Sequence, residues 1–85
     1  MHTQSPPITI ERKAEVLNRT GFSRSTLYLR IKQGLIPPPI SIGDRAVGWI
    51  DYEITAVLKA FIAGKTHDEI RLLVRTQVDS RRMMA

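Results

Sequence analysis

Apolar positions recur along this chain in short runs whose spacing changes from one segment to the next. Ile8-Thr9-Ile10 alternates, which suits a short strand or two isoleucines tucked onto a core. Lys13 to Asn18 has helical preference and carries Ala14, Val16 and Leu17. Arg19-Thr20-Gly21 closes it, with Gly21 free to take the positive φ of a helix C-terminus. Ser23 is placed to cap a second helix, along which Leu27 and Ile31 share one face. Gly34 stops that helix, and Pro37-Pro38-Pro39 prevents a restart and keeps the chain extended.

Period two then returns. Ile40-Ser41-Ile42 predicts a strand, Gly43-Asp44-Arg45-Ala46 supplies turn residues, and Val47-Gly48-Trp49 predicts the antiparallel partner. Two short strands with a basic residue near their tip make a β-wing. Asp51 is expected to cap a third helix, with Glu53 in its first turn facing the positive end of the dipole. Ile54, Val57, Leu58, Phe61 and Ile62 follow the i, i+3, i+4, i+7, i+8 spacing of a core-facing stripe. Gly64 ends that helix, and Thr66-His67-Asp68-Glu69 has the capping-box spacing that opens a fourth. Its Ile70, Leu73, Val74 and Val78 lie on one side, with Arg71 and Arg75 elsewhere, and Arg81 to Ala85 is expected to fray.

The fold class expected from this order is mainly α with a small β-hairpin: a winged helix-turn-helix followed by a C-terminal amphipathic helix. The predicted organisation is a disordered leader at 1–7, a winged helix-turn-helix domain at 8–64, and a C-terminal helix with a frayed tail at 65–85. Eighty-five residues leave room for one small core. With no cysteine, disulfides are excluded and the usual zinc frameworks are not expected. No apolar run is long enough to span a bilayer, so no membrane association and a soluble, cytoplasmic protein are expected.

A net charge of +5 favours a polyanionic partner, because phosphate contacts release counterions. Enzymatic chemistry finds little support. His2 lies in the leader and His67 in a helix cap, and Asp68-Glu69 suits a helix N-terminus better than acid–base catalysis. Gly64-Lys65-Thr66 has the end of a phosphate loop without its upstream glycine. No catalytic residue, cofactor or metal ligand is assigned.

The second predicted helix offers the binding chemistry. Its candidate DNA-contacting side chains are Ser23, Arg24, Ser25, Thr26, Tyr28, Arg30 and Lys32, with Arg45 on the wing. Hydroxyls reach bases or phosphates, and an arginine binds guanine bidentately in a groove about 12 Å wide. Taken alone, each such polar or basic side chain is more often simply solvated surface, and Tyr28 reads also as half-buried; the joint pattern carries the binding reading. Trp49 is assigned to the core, packing the wing against the third helix. Ile70, Leu73, Val74 and Val78 either pack onto the third helix or form the face of a homodimer.

Arg12 to Asn18, Thr20-Gly21-Phe22-Ser23-Arg24-Ser25-Thr26-Leu27-Tyr28, Ile31-Lys32-Gln33-Gly34, Pro37-Pro38-Pro39-Ile40 and Arg45-Ala46-Val47-Gly48-Trp49 resemble the AlpA-type prophage regulators, over roughly residues 10 to 75. The resemblance implies a small bacterial or phage protein that binds double-stranded DNA, with a winged helix-turn-helix shared with MerR-type domains. It also implies transcriptional activation or repression, with RNA polymerase or an integrase as partner, or excisionase-like DNA bending. A protein-interaction adaptor acting through the C-terminal helix is the remaining alternative. Leu29 stands where the family commonly has a basic residue, and Lys13 where relatives often carry an apolar one.

Overall fold

A computed structural model describes residues 7–84. The leader as far as residue 6, with His2, and the tail residue Ala85 lie outside them. The elements run β1 (Ile10–Glu11), α1 (Lys13–Thr20), α2 (Arg24–Lys32), β2 (Ile40–Gly43), β3 (Ala46–Ile50), α3 (Asp51–Ile62) and α4 (His67–Arg81). Four helices thus accompany a three-stranded antiparallel sheet of order β1-β3-β2. The architecture fits a winged helix-turn-helix with a C-terminal helix. The third strand enlarges the expected hairpin.

Glycine chemistry sets the first turn. Gly21 adopts φ 74°, and its N–H reaches the Leu17 carbonyl, ending α1 where a side chain at Cβ would be strained. Two residues later the Ser23 hydroxyl accepts from the Thr26 N–H at 3.2 Å and starts α2. This short connection turns α2 across α1 with Val16 and Leu27 both fully buried. Phe22 and Ile31 pack against the same cluster.

β2 and β3 pair through Ile40↔Gly48, Ser41↔Val47 and Gly43↔Ala46, leaving Ile42 as an extra residue that bulges β2. β1 completes the sheet through Ile10↔Ile50 and Glu11↔Trp49. A side chain at Gly48 would collide with the Ile10 methyl and press on the Glu11 carbonyl, so this central position is closed to larger residues. Ile8, one of the two isoleucines expected to tuck in, is instead exposed, because pairing begins only at Ile10.

The core joins all the helices. Val16, Leu27, Leu35, Ile36, Trp49, Ile54, Val57, Ile70 and Val74 form one buried cluster. Leu35 and Ile36 follow a Schellman turn in which the Gly34 N–H bonds the Ile31 carbonyl and the Leu35 N–H bonds the Arg30 carbonyl. That turn drives both apolar side chains inward just before the prolines. Trp49 is wholly buried, and its Nε1–H donates to the Pro37 carbonyl at 3.0 Å, which ties the wing to the proline segment.

Several expectations need correction. Asp51 is the first residue of α3 rather than its cap, and its Oδ1 accepts from the Thr9 N–H at 3.3 Å, joining the helix to the N-terminal segment. Ile62 is 85% exposed despite its place in the apolar spacing, because α3 ends there and overhangs the core. Glu53 is more than a dipole partner, being 1% exposed and paired with Arg81. Arg81 therefore does not fray. It completes α4 with its guanidinium held by Glu53 and by the Pro38 carbonyl. The capping box of α4 forms as the spacing predicts, with Thr66 and Glu69 bonding each other's backbone N–H.

Candidate nucleic-acid interface

The surface of α2 is built from its burial pattern. Leu27 faces the core, so residues about half a turn away around the helix face outward. Ser25, Tyr28, Leu29 and Lys32 are all exposed and fall at i, i+3, i+4 and i+7, which makes them one stripe along the outer face. Arg24 is exposed at the first helical position. The helix is short and carries no acidic residue in its first turn, so its N-terminal N–H groups and Arg24 present positive potential together.

The remaining α2 candidates have other neighbours. The Ser23 hydroxyl donates to Thr26 Oγ1 at 2.9 Å and lies 3.3 Å from Ser25 Oγ, so Ser23 and half-buried Thr26 form the cap itself. Arg30 is partly buried, and its Nη1 donates to Gln33 Oε1 at 2.9 Å. These three sit beside the outward stripe rather than on it.

Arg45 occupies the two-residue hairpin loop with Asp44 and is fully on the surface. It is the non-glycine residue with positive φ among those described, at 56°. Glycine or asparagine takes that left-handed conformation at far lower cost, so a long basic side chain is held there against backbone preference.

Two basic residues outside the DNA-contacting candidates lie at the start of α1. Lys13 places its ammonium 5.1 Å from the centre of the Tyr28 ring, a cation–π contact between α1 and the outer face of α2. Arg12 Nε donates to the Val47 carbonyl at 3.1 Å, fastening the N-terminus of α1 to the wing strand. The signal available for Lys13 was its basic character at a position expected to be apolar. Leu29, too, belongs to the stripe by spacing, and it is 48% exposed.

Other arginines have structural partners. Arg19 Nη1 bonds both carboxylate oxygens of the buried Glu11, at 3.0 and 2.8 Å, and Arg19 Nη2 donates to Thr55 Oγ1. Arg71 and Arg81 bind backbone carbonyls of the segment that follows α2. Lys13, Arg24 and Lys32 lie on or beside α2 and Arg45 on the wing, while exposed Lys59, Lys65, Arg75 and Arg82 lie elsewhere, on or near α3 and α4.

Ile70 and Val74 are buried in the chain's own core, which removes them from any contact with a second copy. Leu72, by contrast, is 60% exposed, and with Leu73, Ala60, Lys65, Glu69 and Thr76 it lines a shallow groove between α3 and α4. Among the described residues no cluster of His, Asp or Glu has the makings of a metal site, and no helix is long and apolar enough to cross a membrane.

Comparison with known proteins places these features in context. Residues 9–59 match the family described as prophage CP4-57 regulatory protein (AlpA). The chain is also 43% identical over 63 residues to the uncharacterized protein ORF88 of Enterobacteria phage P4, which covers 71% of this chain and 72% of that protein. No solved structure matches it significantly. The matched family segment spans β1 through most of α3 and therefore includes α2, the wing and the turn between α1 and α2.

Proposed function

The chain belongs to the AlpA family of prophage regulatory proteins, and from that premise we propose that it is a sequence-specific double-stranded DNA-binding transcriptional regulator. In this reading α2 enters the major groove and the wing lies against the adjacent backbone. The observation that carries it is the α2 stripe. Ser25, Tyr28, Leu29 and Lys32 project outward from a helix whose opposite side is fixed by Leu27, with Arg24 at its N-terminal end. Recognition helices read bases with their N-terminal side chains, and this is where Arg24 and Ser25 stand.

Each side chain then has a chemical role. Arg24 suits the O6 and N7 acceptors of guanine, and Ser25 a base edge or a phosphate. Leu29 offers an apolar contact to a thymine methyl, and Lys32 a phosphate contact. Lys13 lies over the Tyr28 ring, and both are assigned to the DNA backbone. Arg45 reaches a phosphate or the minor groove from the wing, and its left-handed backbone supports a role beyond turn formation. Ser23, Thr26 and Arg30 act by shaping the helix ends, through the cap and the Gln33 contact.

DNase footprinting on a duplex enriched from a random pool tests this reading. The expected pattern is protection of one major-groove segment and its flanking backbone, with Arg45→Gly removing only the flank. Protection that spreads evenly over any sequence would reject sequence-specific recognition.

Pairing of two copies through α4 is a secondary part of the proposal, because a twofold site doubles the contacts that one short helix can make. With Ile70 and Val74 in the core, the surface left for it is Leu73 and the partly exposed Val78, extended by Leu72. Sedimentation equilibrium decides: a strict monomer at high concentration, with and without DNA, removes pairing.

A further inference from the structure

We propose that α4 is a positioning element for α2, and that Arg71 is the residue through which it acts. The proposal rests on the reading of α2 as the DNA-binding helix. Its starting point is the connection from Gln33 to Pro39, which sets where the wing stands relative to α2. Three of its carbonyls accept hydrogen bonds from side chains outside it. The Gln33 carbonyl accepts from Arg71 Nε at 2.9 Å, the Pro37 carbonyl from Trp49 Nε1 at 3.0 Å and the Pro38 carbonyl from Arg81 Nη2 at 2.9 Å. Two of these three ties come from α4.

The Gln33 tie falls at a sensitive point. Gln33 is the C-terminal cap of α2, and the last carbonyls of a helix have no partner within it. Arg71 supplies one, and its orientation is fixed twice over. Its Nη1 donates to Asp68 Oδ1 at 3.0 Å, and its Cγ rests 3.5 Å from the place a Cβ would occupy on Gly34. The arginine stem lies at ordinary contact distance from the turn, and it is the φ of 77° at Gly34 that calls for glycine there. One end of α2 is therefore set by its turn with α1, and the other by α4. The proline segment between α2 and the wing offers few N–H groups of its own to fix its path.

The consequence is a specific division of labour. The segment matched to the family ends at residue 59, before α4 begins. The family-matched part carries the surfaces proposed to meet DNA, and α4 fixes the angle at which α2 and the wing present them. Arg71 contributes to affinity without touching DNA.

Arg71→Met and Arg71→Lys test this together. Methionine keeps the stem on Gly34 and removes the guanidinium, while lysine keeps the charge and loses the planar Nε donor. Arg71 is partly exposed, so both variants are expected to fold, and the buried Trp49 reports on that by fluorescence. Affinity for the enriched duplex is expected to fall about three- to tenfold in both variants, the usual effect of losing one such hydrogen bond. The salt dependence of binding should stay unchanged, whereas loss of a phosphate contact would lower its slope by about 0.9. In the free proteins, amide exchange at Gly34 and Leu35 should quicken while exchange at Val57 does not.

Full affinity in Arg71→Lys, or a reduced slope in Arg71→Met alone, would make Arg71 a direct phosphate contact and overturn the proposal. Unchanged affinity and unchanged exchange in both variants would overturn it as well. If wild-type protein binds enriched and random duplex alike, the DNA-binding reading fails. The exchange rates at Gly34 and Leu35 still judge the α4 tie in that case, and unaltered rates reject it.

Discussion

Glu53 and Arg81 stand 28 positions apart in the chain and meet in a two-pronged ion pair, with Nη2 to Oε1 at 2.5 Å and Nε to Oε2 at 3.0 Å. Glu53 is 1% exposed and Arg81 16%. The pair fastens the end of α4 to the first turn of α3, and through the Pro38 carbonyl to the base of the wing. Removing one partner strands the other charge away from water. Arg81→Met is therefore expected to cost about 3–5 kcal/mol. The double variant Glu53→Leu with Arg81→Met should recover most of that loss, because no bare charge remains. Urea unfolding of the three proteins checks both statements.

Arg45 separates stability from binding. Its φ of 56° is unfavourable for any side chain with a Cβ, and glycine would relieve it while adding freedom to the unfolded chain. These effects oppose one another, so Arg45→Gly should leave stability within about 1 kcal/mol of wild type. Affinity for the enriched duplex should nonetheless fall, with the salt slope lower by about 0.9 for the lost phosphate contact. Paired thermal melts and salt titrations provide the comparison. A variant that binds as well as wild type would make Arg45 an ordinary turn residue.

Arg24 is predicted to read sequence rather than merely add charge. Arg24→Ala should weaken the preferred duplex by about 1–3 kcal/mol and relax selectivity at one base position. Lys32→Ala should instead weaken all sequences evenly. Repeating the enrichment with each variant, and comparing the preferred sequences, distinguishes the two behaviours.

Acid titration probes the start of α4. The Thr66 backbone N–H donates to the Glu69 carboxylate, and the Thr66 hydroxyl adds to this, which holds the Glu69 pKa below its ordinary 4.5. A group whose folded pKa is depressed stabilises the fold above its unfolded value, and that contribution disappears as pH falls through the folded value. Wild type should thus lead Glu69→Gln in melting temperature near neutrality, and the lead should start to shrink below pH 4.5. Because Glu69 is fully exposed the lead will be small, and an unchanging difference across the acid range would contradict the assignment.

The sequence is legible where the physics is local. Gly21, the Ser23 cap, the Asp44-Arg45 turn and the Thr66–Glu69 box each involve residues within one turn of each other, and each forms as its spacing predicts. The outward face of α2 was legible only in part: Leu27 and Ile31 mark the inner side, yet the candidates included Ser23, Thr26 and Arg30 beside the stripe and omitted Leu29 on it. What escaped were choices among distant partners. Nothing near Glu53 points to Arg81, and nothing near Arg71 points to the Gln33 carbonyl. Charged residues at the end of a helix look solvated until the fold brings a buried partner beneath them. Periodicity also misled at Ile62, where the spacing continued past the point at which α3 leaves the core. Asp51 looked like a cap because its type suits one, but the backbone enters α3 one residue earlier and frees its carboxylate for Thr9.

The central claim is that α2 and the wing recognise a DNA sequence. Its most direct test is the ratio of affinities for an enriched duplex and a shuffled duplex of the same length and composition, titrated with wild-type protein at physiological salt. Recognition through α2 predicts a ratio of about a thousandfold or more. Equal affinities for the two duplexes, falling together as salt rises, would contradict it.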